Sequence, residues 1–219
     1  MLRIDFLKEL ERLPYFTIAG FRQLLDGRKH PDESAREILS RWSQSGHILS
    51  LKRGVYMSRR FYELHRNDPD FSPAVSAILL PQSYISLEYA LQRENILTEI
   101  TYPVTAVTLK NTRLIENPLG TYSYRRIKPL LYTGFSQQRY HGILFHNASP
   151  AKALFDYLYL RPLPRNLRTG NLDIEEDLRL NLVDFDREAR DEFADYVTLS
   201  ASEKMTYIFS SLQRTIWQP

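Results

Sequence analysis

The first third of the chain alternates apolar and polar positions with a helical period. Leu2, Phe6, Leu7, Leu10 and Leu13 follow the i, i+3, i+4 spacing of one helix face, and Pro14 stops it. A second helix is predicted from Thr17, whose hydroxyl can cap exposed backbone N–H groups, through Leu25, with Asp26-Gly27 as the stop. A third opens after Pro31 with Asp32 or Ser34 as its cap. Ala35, Ile38, Leu39 and Trp42 form its apolar face, and Gly46 ends it. The period then changes. His47 to Met57 reads as two short β-prone runs around Arg53-Gly54, a turn in which glycine accepts positive φ. Helix, helix, turn, helix, β-hairpin is the order of a winged helix-turn-helix, which assigns the third helix to the DNA major groove and the hairpin to the adjacent backbone or minor groove.

Residues 58–72 are polar and end in turn formers, so a junction is placed there, dividing the chain into 1–62 and 70–219. Beyond it, helices are predicted over Pro73–Leu80 and over Leu87–Arg93 with Ser86 as cap. Strands are predicted over Val104–Leu109, Leu119–Lys128 and Tyr140–Phe145. A helix follows from Pro150 with Ala153, Leu154, Tyr157 and Leu158 on one face, and Ile174–Leu182, Arg187–Tyr196 and Ser202–Ile216 complete a helical last third. Strands in a block followed by helices in a block argue for an α+β fold: a winged helix-turn-helix, then a mixed α+β domain with a small sheet and C-terminal helices.

Charge sharpens the division. Residues 1–66 hold 13 Lys+Arg against 8 Asp+Glu, leaving 16 against 18 in the remainder of a 219-residue chain of net charge +3. A basic head beside a slightly acidic body is the footprint of a nucleic-acid reader joined to something else. On the third helix, the stripe opposite Trp42 displays Glu33, Glu37, Ser40 and Gln44, flanked by Arg36 and Arg41. Gln44 suits bidentate pairing with adenine, and Arg36 or Arg41 suits guanine or phosphate. Lys52 and Arg53 at the hairpin tip suit phosphate, and Arg28, Lys29 and His30 before the third helix suit the backbone. Glu33 and Glu37 oppose this reading unless they accept from cytosine or pair with the neighbouring arginines.

Three segments carry a resemblance. Gly46 with Arg53-Gly-Val-Tyr56, then Tyr84-Ile-Ser-Leu-Glu-Tyr-Ala-Leu91, then Asn147-Ala-Ser-Pro-Ala-Lys-Ala-Leu-Phe-Asp156 resemble, in order, segments of the AbiEi-type antitoxins, regulators of type IV toxin–antitoxin and abortive-infection systems. Ala151 stands where that family usually has an acid. The resemblance implies an antitoxin that binds inverted repeats of double-stranded DNA in its own promoter, represses its operon and counteracts a nucleotidyltransferase-like toxin encoded alongside. No catalytic motif stands out in the sequence, so the chain itself is not expected to be an enzyme.

The residues leave rivals open. With no cysteine, disulfides, thiolate metal sites and cysteine nucleophiles are excluded, which fits a reducing cytosol. The N-terminus has acids where a signal peptide would need an apolar run, no run approaches a membrane span, and the scattered 8 glycines form no phosphate loop, so a cytoplasmic chain without a cofactor is expected. His141 and His146, read on one strand, fall on opposite faces, which makes them surface or core histidines rather than metal ligands, and no metal site is expected. Glu175-Glu176-Asp177 is an acid cluster that favours a helix N-terminus over a metal. A nuclease-like body would use Glu88, Glu116, Lys110 and Lys128. Tyr122, Tyr124, Arg125 and Arg126 could stack on nucleic acid, although a strand packing one face accounts for them too. A pure protein-interaction module is the third alternative.

Overall fold

A computed structural model describes residues 2–26, 35–99, 102–162, 178–183 and 185–217. The fold is α+β, with a small sheet near the N-terminus and a larger one beyond it. The chain begins α1 (Leu2–Leu10), β1 (Phe16–Thr17), α2 (Ile18–Asp26), α3 (Ala35–Gln44), β2 (Ile48–Lys52) and β3 (Val55–Ser58). These strands form an antiparallel sheet in the order β1-β3-β2. Local chemistry explains the boundaries. The Thr17 hydroxyl accepts from the Gly20 N–H at 3.0 Å and so caps α2. Gly46, at φ 76°, lets the chain leave α3, and Gly54, at φ 75°, turns the hairpin. Phe6, Leu10, Phe16, Phe21, Leu25, Ile38, Leu39, Trp42 and Ile48 are buried together. The Phe21 and Trp42 rings lie 5.4 Å apart. Removing Trp42 from water stabilises α3 against α2 by a few kcal/mol, more than the helix propensity of α3 can supply alone.

The segment read as a polar junction carries structure of its own. Ser58 caps α4 (Arg59–His65) by accepting from the Phe61 N–H at 3.0 Å, and Phe61 is buried. α5 (Phe71–Leu79), β4 (Ser83–Ile85) and α6 (Leu87–Arg93) follow. β5 (Val104–Thr108), β6 (Arg113–Asn117), β7 (Gly120–Arg126), a 3-10 turn (Pro129–Leu131), β8 (Phe135–Tyr140) and β9 (Ile143–Ala148) then build most of the larger sheet. Its order is β6-β7-β5-β4-β9-β8. β5 runs parallel to β7 and β4 parallel to β9, while the β6–β7, β4–β5 and β8–β9 pairs are antiparallel. α7 (Pro150–Leu160), α8 (Arg187–Ser200) and α9 (Glu203–Thr215) pack together, and Ser149 caps α7 through the Lys152 N–H.

Several sequence expectations are corrected here. β4 and β6 are strands the pattern does not announce, one of three residues and one with a mostly exposed face. The predicted strand Tyr140–Phe145 is instead a hairpin, β8 and β9, turning at His141-Gly142, so His141 and His146 do not share a strand. Ser86 does not cap α6: its hydroxyl donates to Asp156 Oδ2 at 2.8 Å. Tyr122 and Tyr124, by contrast, agree with the strand-packing reading: both are buried, and the Tyr124 hydroxyl donates to the Ser76 carbonyl at 2.9 Å, so these rings are core and not a stacking surface. Asp32, Ser34 and the acids Glu175, Glu176 and Asp177 lie outside the described residues.

Two apolar clusters divide the interior. The second gathers the larger sheet and its helices, and it also takes in Leu51, Met57 and Phe61. β2 and β3 therefore present Ile48 to the first cluster and Leu51 and Met57 to the second, as side chains on opposite faces of a strand must. Asn117 Nδ2 adds a bond to the Leu51 carbonyl at 3.2 Å.

Candidate nucleic-acid interface

The stripe of α3 opposite Trp42 and the hairpin turn converge. Arg36, Ser40, Ser43 and Gln44 of α3, with Ser50, Arg53 and Tyr56 of the hairpin, line one open groove of about 470 Å³. The arrangement follows from the burial of α3. Ala35, Ile38, Leu39 and Trp42 face the core, so Arg36, Glu37, Ser40, Arg41 and Gln44 must face solvent. Tyr56 stacks on Phe16 at 5.8 Å, which fixes the floor of the groove. The groove presents guanidinium, hydroxyl and carboxamide groups, the donor set that recognises phosphates and base edges.

Of the residues the sequence assigns to DNA, the structure brings Arg36, Ser40, Gln44 and Arg53 to this groove. Arg41 is exposed on the same helix, beside it. Lys29, with Arg28, His30 and Glu33, lies outside the described residues. Ser43, Ser50 and Tyr56 join the groove in addition to the residues that the sequence pattern points to. Ser43 was legible in principle, one residue before Gln44, whereas Tyr56 becomes a floor only through the β1–β3 pairing.

Lys52 is a correction. It does not stand at the hairpin tip as a phosphate contact. Its ammonium donates to the carbonyls of Ile78 and Leu79, at 2.6 and 3.0 Å, at the C-terminal end of α5. The β2–β3 register shifts between Ser50 and Lys52, a bulge that re-aims the side chain. At its destination the helix presents unsatisfied carbonyls and the negative end of its dipole. Burial, and then the nearby Lys110, pull its pKa below the ordinary lysine value. Lys52→Met is therefore expected to lower stability by about 1–3 kcal/mol, the worth of hydrogen bonds to a charged group, and to leave the salt dependence of any DNA binding unchanged. Urea denaturation and a binding titration on the same variant check this; a shallower salt slope in the variant would return Lys52 to the DNA face.

The carboxylates and lysines proposed for cleavage chemistry are dispersed. Glu88 is half-buried on α6, in a separate groove with Arg125 and Arg161, while Glu116 is exposed on edge strand β6. Among the described residues they do not share a metal-holding cluster. Lys110 and Lys128 are exposed. Lys152 and Asp156, from the third motif segment, are fully buried and paired at 2.5 Å, and Asp156 also accepts from Tyr84 of the second motif segment at 2.8 Å. These two segments thus meet in the interior, where they hold α7 to β4. Among the described residues no helix is long and apolar enough to cross a membrane. Comparison with known proteins returns no matching family model and no match among curated proteins.

Proposed function

We propose that this chain is a DNA-binding transcriptional regulator whose N-terminal unit is a winged helix, with α3 as the recognition helix and the β2–β3 hairpin as the wing. The observation that carries the reading is the convergence of Arg36, Ser40 and Gln44 from α3 with Arg53 from the hairpin on one open groove. The element order and the β1-β3-β2 sheet support it, as does the basic excess of residues 1–66. Exposed Glu37 on the same face selects against generic phosphate and suits a contact to a cytosine amino group. The three motif segments extend the proposal: the chain acts as an antitoxin that represses its own operon at inverted repeats and counteracts a nucleotidyltransferase-like toxin encoded alongside.

The test is a gel shift on the promoter of its own operon, across a salt series, with wild type and the Arg41→Ala/Arg53→Ala double variant. Wild type is expected to bind with a steep salt dependence. The variant is expected to bind more weakly, with the slope of log K against log salt reduced by about 0.9 for each phosphate that is no longer neutralised. Wild-type binding no tighter than to random duplex would overturn the regulator reading. Rescue of growth by this chain when the adjacent gene is induced tests the antitoxin reading separately.

A further inference from the structure

The tip of the β8–β9 hairpin folds back over the end of α4 and brings three metal-ligating side chains together. One ligand atom from each of His65, Asp68 and His141 lies within 4.8 Å of the other two. His65 and Asp68 come from the last turn of α4 and the loop after it, and His141 from the hairpin turn. His65 Nδ1 lies 2.9 Å from Asp68 Oδ2. The two imidazole centroids are 4.5 Å apart. We propose that His65, Asp68 and His141 form a binding site for a divalent late first-row transition metal, of which Zn²⁺ is the reference ion.

The donor chemistry fits. Two imidazoles and one carboxylate are a ligand set that zinc accepts in open four-coordinate sites, with a water or another ligand completing the shell. Bonds of 2.0–2.2 Å place neighbouring donors of a tetrahedral ion about 3.3–3.6 Å apart. The His65–Asp68 pair is already near that spacing, and the remaining closure falls to His141, an exposed side chain on a hairpin tip. The carboxylate can only accept, so the Nδ1 of His65 now donates to it. A metal takes the place of that shared proton, since His Nδ1 must lose it to become a ligand.

The surroundings are those of a supported site. The Tyr140 hydroxyl donates to Asp68 Oδ2 at 2.6 Å, an outer partner that orients the carboxylate. The buried Phe61 ring sits 4.3 Å from His65 and 5.3 Å from His141, a rigid apolar floor beneath both imidazoles. The backbone of His141 is in the left-handed region at φ 45°, a conformation that costs energy and turns its ring toward α4. A bound ion would join α4, which continues directly from the hairpin strand β3, to the β8–β9 hairpin of the larger sheet. It would be a removable staple between the head and the body.

The experiment uses the full chain freed of metal by chelator dialysis. Isothermal titration with ZnCl₂ is expected to show one saturable equivalent, and CoCl₂ the visible d–d absorption of a four-coordinate ion. His141→Asn, whose side chain tolerates the left-handed turn, should lose the tight equivalent and the cobalt spectrum while keeping the metal-free melting temperature. Tyr140→Phe should weaken zinc about 10–100-fold, and His146→Ala, in the same hairpin but outside the cluster, should not change it. No saturable zinc binding, or binding that survives both His141→Asn and Asp68→Asn unchanged, would overturn the assignment. Neither result bears on DNA binding.

Discussion

Replacing Lys152 with methionine is expected to lower the stability of the chain by about 3–5 kcal/mol, because it strands a buried carboxylate. Lys152 and Asp156 are both fully buried, one turn apart on α7, with Nζ 2.5 Å from Oδ1. Asp156 Oδ2 accepts from the Tyr84 and Ser86 hydroxyls, each at 2.8 Å. The ammonium sits among the rings of Phe155, Tyr196 and Tyr84, at 5.0, 5.1 and 5.8 Å from their centroids. Burial pushes the Asp156 pKa up and the Lys152 pKa down, and each charge offsets part of the shift of the other. Methionine keeps the volume and the ring contacts but removes the cation. The Lys152→Met/Asp156→Leu double variant should recover part of the loss, since no lone charge remains, but not all of it, since two hydroxyls lose their acceptor. Urea midpoints at unchanged m-value measure both. A single-variant loss under about 1 kcal/mol would mean that the pair contributes little where it sits.

The second large effect is expected at Gly134. Its φ is 76°, and a Cβ there would run into the Tyr196 hydroxyl and lie 3.0 Å from Lys152 Cγ. Neither neighbour can easily move. The Tyr196 hydroxyl donates to Glu192 at 2.6 Å, the same carboxylate accepts from Ser149 at 2.7 Å, and the Ser149 N–H donates to the Gly134 carbonyl at 3.0 Å. Gly134→Ala thus combines left-handed strain with overpacking, about 2–5 kcal/mol together. Gly142→Ala is the control. Its φ is 82° with nothing within 4 Å of the added carbon, so it should cost only the backbone part, about 1–2 kcal/mol. Equal losses at the two glycines would show that the crowding around Gly134 yields.

The parts of this fold that were legible in the sequence are those whose periodicity is set by burial on one side. α3 is the clearest case: the face carrying Ala35, Ile38, Leu39 and Trp42 is buried as spaced, and the opposite stripe is the groove wall. The hairpin at Arg53-Gly54 was legible because its turn needs glycine. Strands that take their identity from neighbours were not. β4 is short and buried on both faces, so it carries no alternation, and β6 is an edge strand whose Arg113, Leu114 and Glu116 are exposed. The β8–β9 turn escaped because His141, not glycine, is its first residue. Lys52 escaped because a bulge changes the direction of a side chain without changing the local pattern. His65 and Asp68 lie in a stretch that reads as a polar connector, and their third partner comes from a distant hairpin.

The hairpin that turns Ile48 to one core and Leu51 and Met57 to the other has a mechanical consequence. It is a diaphragm, with close-packed matter on both sides, and a displacement of either side is transmitted at the stiffness of a protein interior rather than of a tether. Cutting the chain at residue 62 would leave Leu51, Met57 and Phe61 bare, so the N-terminal unit is not a detachable part. A chimaera that keeps it must also keep the wall against which it is built.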